Sequence, residues 1–140
     1  GEFKENRGHI FLVDEYGKSK SLDDENFANF FLGNNYLGLV ILNCCKSGTI
    51  SSNQAFAGTV SNLVRKGIPA AVAMQYTILD STAKLFASEF YKTIALGFPV
   101  DTAIQSTRNA ISQDVGLGKP DFATPVLYMR ARDGIILDGL

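Results

Sequence analysis

Two adjacent cysteines, Cys44 and Cys45, are the residues of this chain best suited to nucleophilic chemistry. They come directly after residues 37–42, a short run of branched apolar side chains, and just before the small residues Ser47 and Gly48. In open α/β sheets, functional groups gather at the carboxyl ends of strands. A thiol at such an end, close to the start of a helix, is favoured as the reactive thiolate. The alternative is that both cysteines are inert core residues, since free cysteine is among the most buried residue types.

Few other side chains offer acid–base or ligand chemistry. His9 is the sole histidine and therefore the sole candidate for a general base within this chain, although we expect it to be a structural or surface residue. Asp80 follows an apolar run by a few residues, where a helix N-cap or first-turn acid is expected. One histidine and two adjacent cysteines cannot build a zinc site, and the glycines at 116 and 118 belong to no phosphate loop. The sequence predicts no metal or other cofactor.

The composition indicates an ordinary globular protein and excludes several classes of partner. The 140 residues fit one domain, residues 1–140, and 46% of them are hydrophobic and 19% charged. With a net charge of −1 there is no large basic field to attract nucleic acid or an anionic membrane. No apolar run is long enough to span a bilayer. Adjacent cysteines are no disulfide framework, and reduced thiols favour a cytoplasmic location.

The elements that would position Cys45 can be predicted from the hydrophobic pattern. Branched apolar runs predict buried strands, and apolar side chains at helical spacing predict helices. We expect strands at residues 9–13, 37–42, 70–74, 124–129 and 135–137, and helices at residues 23–32, about 56–65, 79–94 and 100–113. Such alternation predicts an α/β fold with a mostly parallel sheet and helices on both of its faces. Gln75 and Tyr76 then leave a strand beside the one that leads to Cys45.

The stretch LVILNCCKSG at residues 39–48 resembles the nucleophile strand of CHAT domains, whose pattern is roughly LVVLNACxS. Aligned on Asn43 and Ser47, the family cysteine falls on Cys45. Further matches occur in order at residues 67–75, at Asp80, at the Phe90-Tyr91 pair, and at residues 97–103 and 124–128. The similarity covers essentially the whole chain, and the order and spacing of the motifs are more specific than any one of them.

The resemblance implies a caspase-like three-layer sandwich and a cysteine endopeptidase that uses a Cys–His dyad on a protein or peptide substrate. Cys45 would be the nucleophile, and Gln75, Tyr76 and Asp80 would line the substrate cleft. An aspartate in that cleft would favour a basic substrate residue. The family histidine precedes a glycine, and related caspases place it about 50 residues before the cysteine. That position lies just before residue 1, so the domain is expected to be truncated at its N-terminal edge.

Gly1 is a candidate for the oxyanion hole, because related peptidases use the backbone N–H of the glycine after the histidine. The sequence Gly1-Glu2-Phe3 resembles the family residues that come directly after that histidine, but it is also typical of a cloning remnant. Two other functions remain open. One is a non-enzymatic interaction or scaffold module joined to helical repeats of the same parent protein. The other is an inactive fragment that self-associates through an open sheet edge.

Overall fold

The computed structural model describes residues 2–4, 7–43, 51–76, 78–116 and 118–136, with side chains from residue 9 onward except those of 51–57. Six strands and four α-helices are present in these ranges. They are β1 (Glu2–Lys4), β2 (Arg7–Val13), β3 (Ser19–Asp23), α1 (Asp24–Asn29), β4 (Leu39–Leu42), α2 (Ser51–Arg65), β5 (Ala70–Met74), α3 (Asp80–Ala95), α4 (Val100–Val115) and β6 (Pro125–Met129), with a 3-10 turn at Pro120–Ala123 before β6.

The strands form two separate three-stranded sheets. In the first, β1, β2 and β3 pair in chain order and are antiparallel throughout. In the second, β4 pairs in parallel with β5, and β5 pairs antiparallel with β6. Among the described residues one strand pair in four is therefore parallel, so the mixed α/β class is confirmed and a mostly parallel sheet is not.

Helices cover both faces of the β4–β5–β6 sheet because the buried side chains of β5 alternate between them. Ala70, Val72 and Met74 pack against α3 and α4, where Phe86 and Phe90 are almost fully buried and stack at 5.3 Å. On the other face, Ala71 and Ala73 pack in a second cluster with side chains of α2 and α1. Burying these apolar surfaces is the main force that holds the layers together.

The ends of the helices are set by identifiable residues. Asp23 caps α1, since its side chain accepts a hydrogen bond from the backbone N–H of Asn26 at 2.7 Å. Gly67 follows the end of α2 with a φ of 122°, a backbone conformation that residues with a Cβ rarely adopt. Pro69 then prevents the helix from continuing. These two boundaries agree with those expected from the sequence, whereas α1 ends at Asn29 rather than at residue 32. No helix in the described part of the chain is long and apolar enough to cross a membrane.

Two strand predictions were wrong in part. Residues 9–13 were expected to be buried, but Phe11, Leu12 and Val13 are 40%, 42% and 74% exposed, because they lie in the small hairpin sheet. Ile135 and Ile136 do not form a late strand, and Leu137 lies outside the described residues. Instead, Ile136 packs against the core next to Gly38, at the start of β4.

Candidate functional site

The candidate site is the edge of the second sheet where β4 and β5 both end. Their parallel register pairs Leu42 with Ala73, so Asn43 leaves β4 close to where Gln75 leaves β5. The antiparallel strand β6 begins at the same edge, with Pro125 opposite Met74. The strand that leads to Cys45 is therefore the neighbour of the strand that ends just before Gln75 and Tyr76, as the sequence predicts. Parallel strands commonly bring functional groups together at such an edge.

Three of the residues that the chemistry needs lie outside the described ranges. Cys45, its neighbour Cys44 and the oxyanion-hole candidate Gly1 are not among the described residues. Their assignments stay predictions. The structure does describe the strand ends near Asn43, the last residue described before the two cysteines: the ends of β4 and β5 and the start of β6.

Gln75 is held by two hydrogen bonds at this edge. Its backbone N–H donates to the carbonyl oxygen of Thr124 at 2.8 Å, and its side-chain Nε2 donates to the carbonyl oxygen of Ala123 at 2.6 Å. The side chain is half-buried. It therefore joins the end of β5 to the segment that enters β6.

Tyr76 and Asp80 present their side chains to solvent at the same edge. Tyr76 is 46% exposed, and Asp80 is exposed as the first residue of α3. Leu79 precedes that helix without capping it by a side chain, so Asp80 is a first-turn acid rather than the N-cap. A carboxylate in the first turn is stabilised by the positive end of the helix dipole. The side chain of Asp80 is exposed to solvent.

Arg108 and Thr124 are two residues of this edge that sequence reasoning missed. Nη2 of Arg108 donates to the carbonyl oxygen of Pro125 at 2.6 Å. Nε of Arg108 and Oγ1 of Thr124 are buried without a hydrogen-bond partner, as is Oγ1 of Thr82 in the first turn of α3. One signal was available: Arg108 comes one helical turn after Ile104, so it sits beside the apolar stripe of α4 rather than opposite it.

His9 lies in the other sheet. Its Nδ1 is 3.0 Å from Oγ of Ser21, across the β2–β3 ladder. This partner is consistent with the expected structural or surface role. The described part of the candidate edge thus holds Gln75 and Tyr76, with Asp80 at the start of the helix that follows, and no described histidine. Within the described ranges, no three His, Cys, Asp or Glu side chains are grouped so that they could hold a metal ion.

The sequence was compared with curated proteins and with models of protein families, and the second comparison assigns the chain to a family. None of the curated proteins matches the chain. The family model described as CHAT domain matches residues 1–121, which include all the predicted site residues and Arg108 and end just before the segment that Gln75 binds. The match covers most of the chain, and it agrees with the motif order around residues 39–48. The chain belongs to the CHAT domain family.

Proposed function

We propose that this domain has the caspase-like three-layer fold and acts as a cysteine endopeptidase in its parent protein, with Cys45 as nucleophile. One observation supports the proposal above the others. Parallel β4 and β5 end side by side, so Asn43, the last described residue before the two cysteines, lies close to where Gln75 leaves β5. Family membership supports peptidase-related chemistry.

The proposed reaction proceeds in two steps. The Cys45 thiolate attacks the carbonyl carbon of the scissile peptide bond, the C–N bond breaks, and the amine leaves with a proton from a histidine. Water then adds to the thioester and releases the acid and the thiol. Backbone N–H groups, with Gly1 as one candidate donor, stabilise the oxyanion. The histidine is expected upstream of Gly1.

Side chains of the same edge would bind the substrate. Tyr76 offers an exposed aromatic surface, and Asp80 offers an exposed carboxylate. A carboxylate favours a basic side chain beside the scissile bond. Gln75 would line the same cleft, and its hydrogen bonds to residues 123 and 124, which fix it at the end of β5, support that role.

The rate of alkylation by iodoacetamide, measured against pH and resolved by mass spectrometry, tests this function. The protein used is the parent that contains the domain, and Cys44 is the internal control. We expect the Cys45 thiolate to titrate well below the free value of about 8.5, because a cationic partner favours the thiolate. If Cys45 titrates like an ordinary thiol or like Cys44, the endopeptidase proposal fails. The non-enzymatic interaction module then becomes the better explanation of the fold.

A further inference from the structure

Three consecutive carbonyl groups at the start of β6 are each bound by a donor from another part of the chain. The carbonyl oxygen of Ala123 accepts from Nε2 of Gln75 at 2.6 Å, and that of Thr124 accepts from the backbone N–H of Gln75 at 2.8 Å. The carbonyl oxygen of Pro125 accepts from Nη2 of Arg108 at 2.6 Å. We name residues 123–125 the clamped segment.

The three hydrogen bonds differ in how specific a residue each of them requires. The backbone bond continues the β5–β6 ladder, so any residue at position 75 other than proline could make it. The side-chain bonds require Gln75 and Arg108 in particular. Arg108 is half-buried, its Nε has no partner, and no carboxylate pairs with it in the part of the chain that the structure describes. Partly burying a guanidinium costs desolvation free energy. One hydrogen bond to a neutral carbonyl oxygen offsets only part of that cost.

The clamped segment begins at the end of a turn that leads into β6. The 3-10 turn Pro120–Ala123 ends within it, at Ala123, and Phe122 of that turn is 39% exposed. Tyr76, also exposed, comes directly after Gln75 on the facing strand end. The hydrogen bond between Gln75 and Ala123 therefore fixes the backbone next to Phe122 relative to the backbone next to Tyr76. An aromatic side chain on a fixed backbone binds a ligand with less loss of conformational entropy than one on a mobile loop.

We propose that Gln75 and Arg108 are positioning residues for peptide binding: they clamp residues 123–125 and thereby hold the turn with Phe122 as one wall of the cleft at the ends of β4 and β5. The inference rests on the proposed function, because the cleft is the one that the peptide would occupy. Neither residue touches the reacting atoms. Their contribution is to the affinity for the peptide rather than to the chemical step.

The clamp itself is tested first by hydrogen–deuterium exchange of the free protein, a measurement that needs no activity. The variants are Gln75→Met and Arg108→Met, which keep side-chain length and remove the donors. Losing one such bond corresponds to an exchange increase of about threefold to tenfold at the backbone amides of residues 121–124. Gln105→Met is the matched control, because Gln105 lies on the same helix and bonds only its neighbour Asn109. Unchanged exchange, or equal acceleration over the whole molecule, would overturn the clamp.

Gln75→Glu separates the hydrogen bond from simple space filling. The ionised carboxylate cannot donate to the carbonyl oxygen of Ala123, whereas the protonated form can. Compared with wild type at the same pH, exchange at residues 121–124 should be faster at pH 7.5 and should return toward the wild-type rate near pH 4. A variant whose exchange relative to wild type does not depend on pH would count against a specific role for the Gln75 donor.

Binding is then tested with a peptidyl acyloxymethyl ketone that carries arginine beside the ketone. The methylene carbon of the reagent, next to the ketone, forms a bond to the Cys45 sulfur, and the acyloxy group leaves as a carboxylate. We expect Gln75→Met and Arg108→Met to raise the inhibition constant KI about threefold to tenfold with the inactivation rate constant kinact unchanged. Arg108→Lys, which keeps a donor, should restore part of the affinity. An unchanged KI alongside faster exchange would make the clamp purely structural. If the ketone does not label the wild-type protein, the endopeptidase proposal is refuted. The exchange experiment would still show whether Gln75 and Arg108 hold the clamped segment.

Discussion

The two ends of the β4–β5–β6 sheet are built in opposite ways. At the amino-terminal end of β4 and β5, the chain that follows β6 folds back and covers the end of the sheet. The carbonyl oxygen of Pro69 accepts from the N–H groups of Arg130 and Ala131 at 2.9 and 3.2 Å, and that of Gly134 accepts from Val100 at 2.9 Å. Backbone groups at this end are satisfied by other backbone groups.

The carboxyl-terminal end keeps side chains available. Tyr76, Leu79 and Phe122 are 46%, 67% and 39% exposed there, and Asp80 is exposed beside them. Buried polar atoms without partners, among them Oγ1 of Thr124, lie at the same end. Exposed apolar side chains also occur at the amino-terminal end, for example Phe98 at 50%, so the two ends differ in their buried polar atoms without partners, which cost stability. The comparison suggests that the closed end stabilises the fold and that the open end is kept for binding, and substitutions at the two ends should separate these roles.

Gly134→Val should give the largest effect, at the closed end. Gly134 has a φ of 68°, and an added Cβ would lie 3.0 Å from Oδ1 of Asp101 and 3.2 Å from Cβ of Pro99. Backbone strain and crowding together predict a loss of about 3 kcal/mol in the free energy of unfolding, measured with urea. Gly97→Val is the matched control, because Gly97 has a φ of 81° with nothing within 4 Å. Equal losses in the two variants would show that the closed end is not tightly packed at Gly134.

Gly38→Ala should give the next largest effect. An added Cβ would lie 2.6 Å from Cγ2 of Ile136 and 3.3 Å from its carbonyl oxygen, so the returning chain must shift. We expect a loss of about 1–3 kcal/mol in the free energy of unfolding. Adding Ile136→Ala removes the closest atom, and the double variant should lose less than the sum of the two single variants. Strict additivity would mean that the two residues are not in contact in solution.

The sequence predicted best the elements that carry their own periodic pattern. The strand at residues 70–74 and the helix ends near Gly67 and Pro69 were located to within a residue or two, because apolar runs and helix-ending residues are local signals. Strand β3 was missed, since the sequence predicted no strand between residues 13 and 37. Its sequence, SKSLD, has one apolar side chain, and its pairing with β2 is what makes it a strand.

The candidate site could be predicted in part for the same reason. A cysteine after a branched apolar run and an acid after the next strand are visible in the chain itself. The clamp was not visible, because its hydrogen bonds join Gln75 to Ala123 and Arg108 to Pro125 across long separations in sequence. An arginine on an otherwise apolar helix stripe is usually solvated, so only the tertiary contact identifies its role.

Tyr76→Ala should give the smallest change in stability and a clear change in binding. Tyr76 is half exposed at the open end, and surface substitutions of this kind alter the free energy of unfolding by about 0.5 kcal/mol or less. If its ring contacts the peptide, KI for the arginine ketone should rise severalfold while kinact stays the same. Tyr36→Ala is the matched control, since Tyr36 is fully exposed and precedes β4 at the closed end. A change in KI that is equal in both variants, or absent in both, would remove the distinction between a closed end that stabilises and an open end that binds.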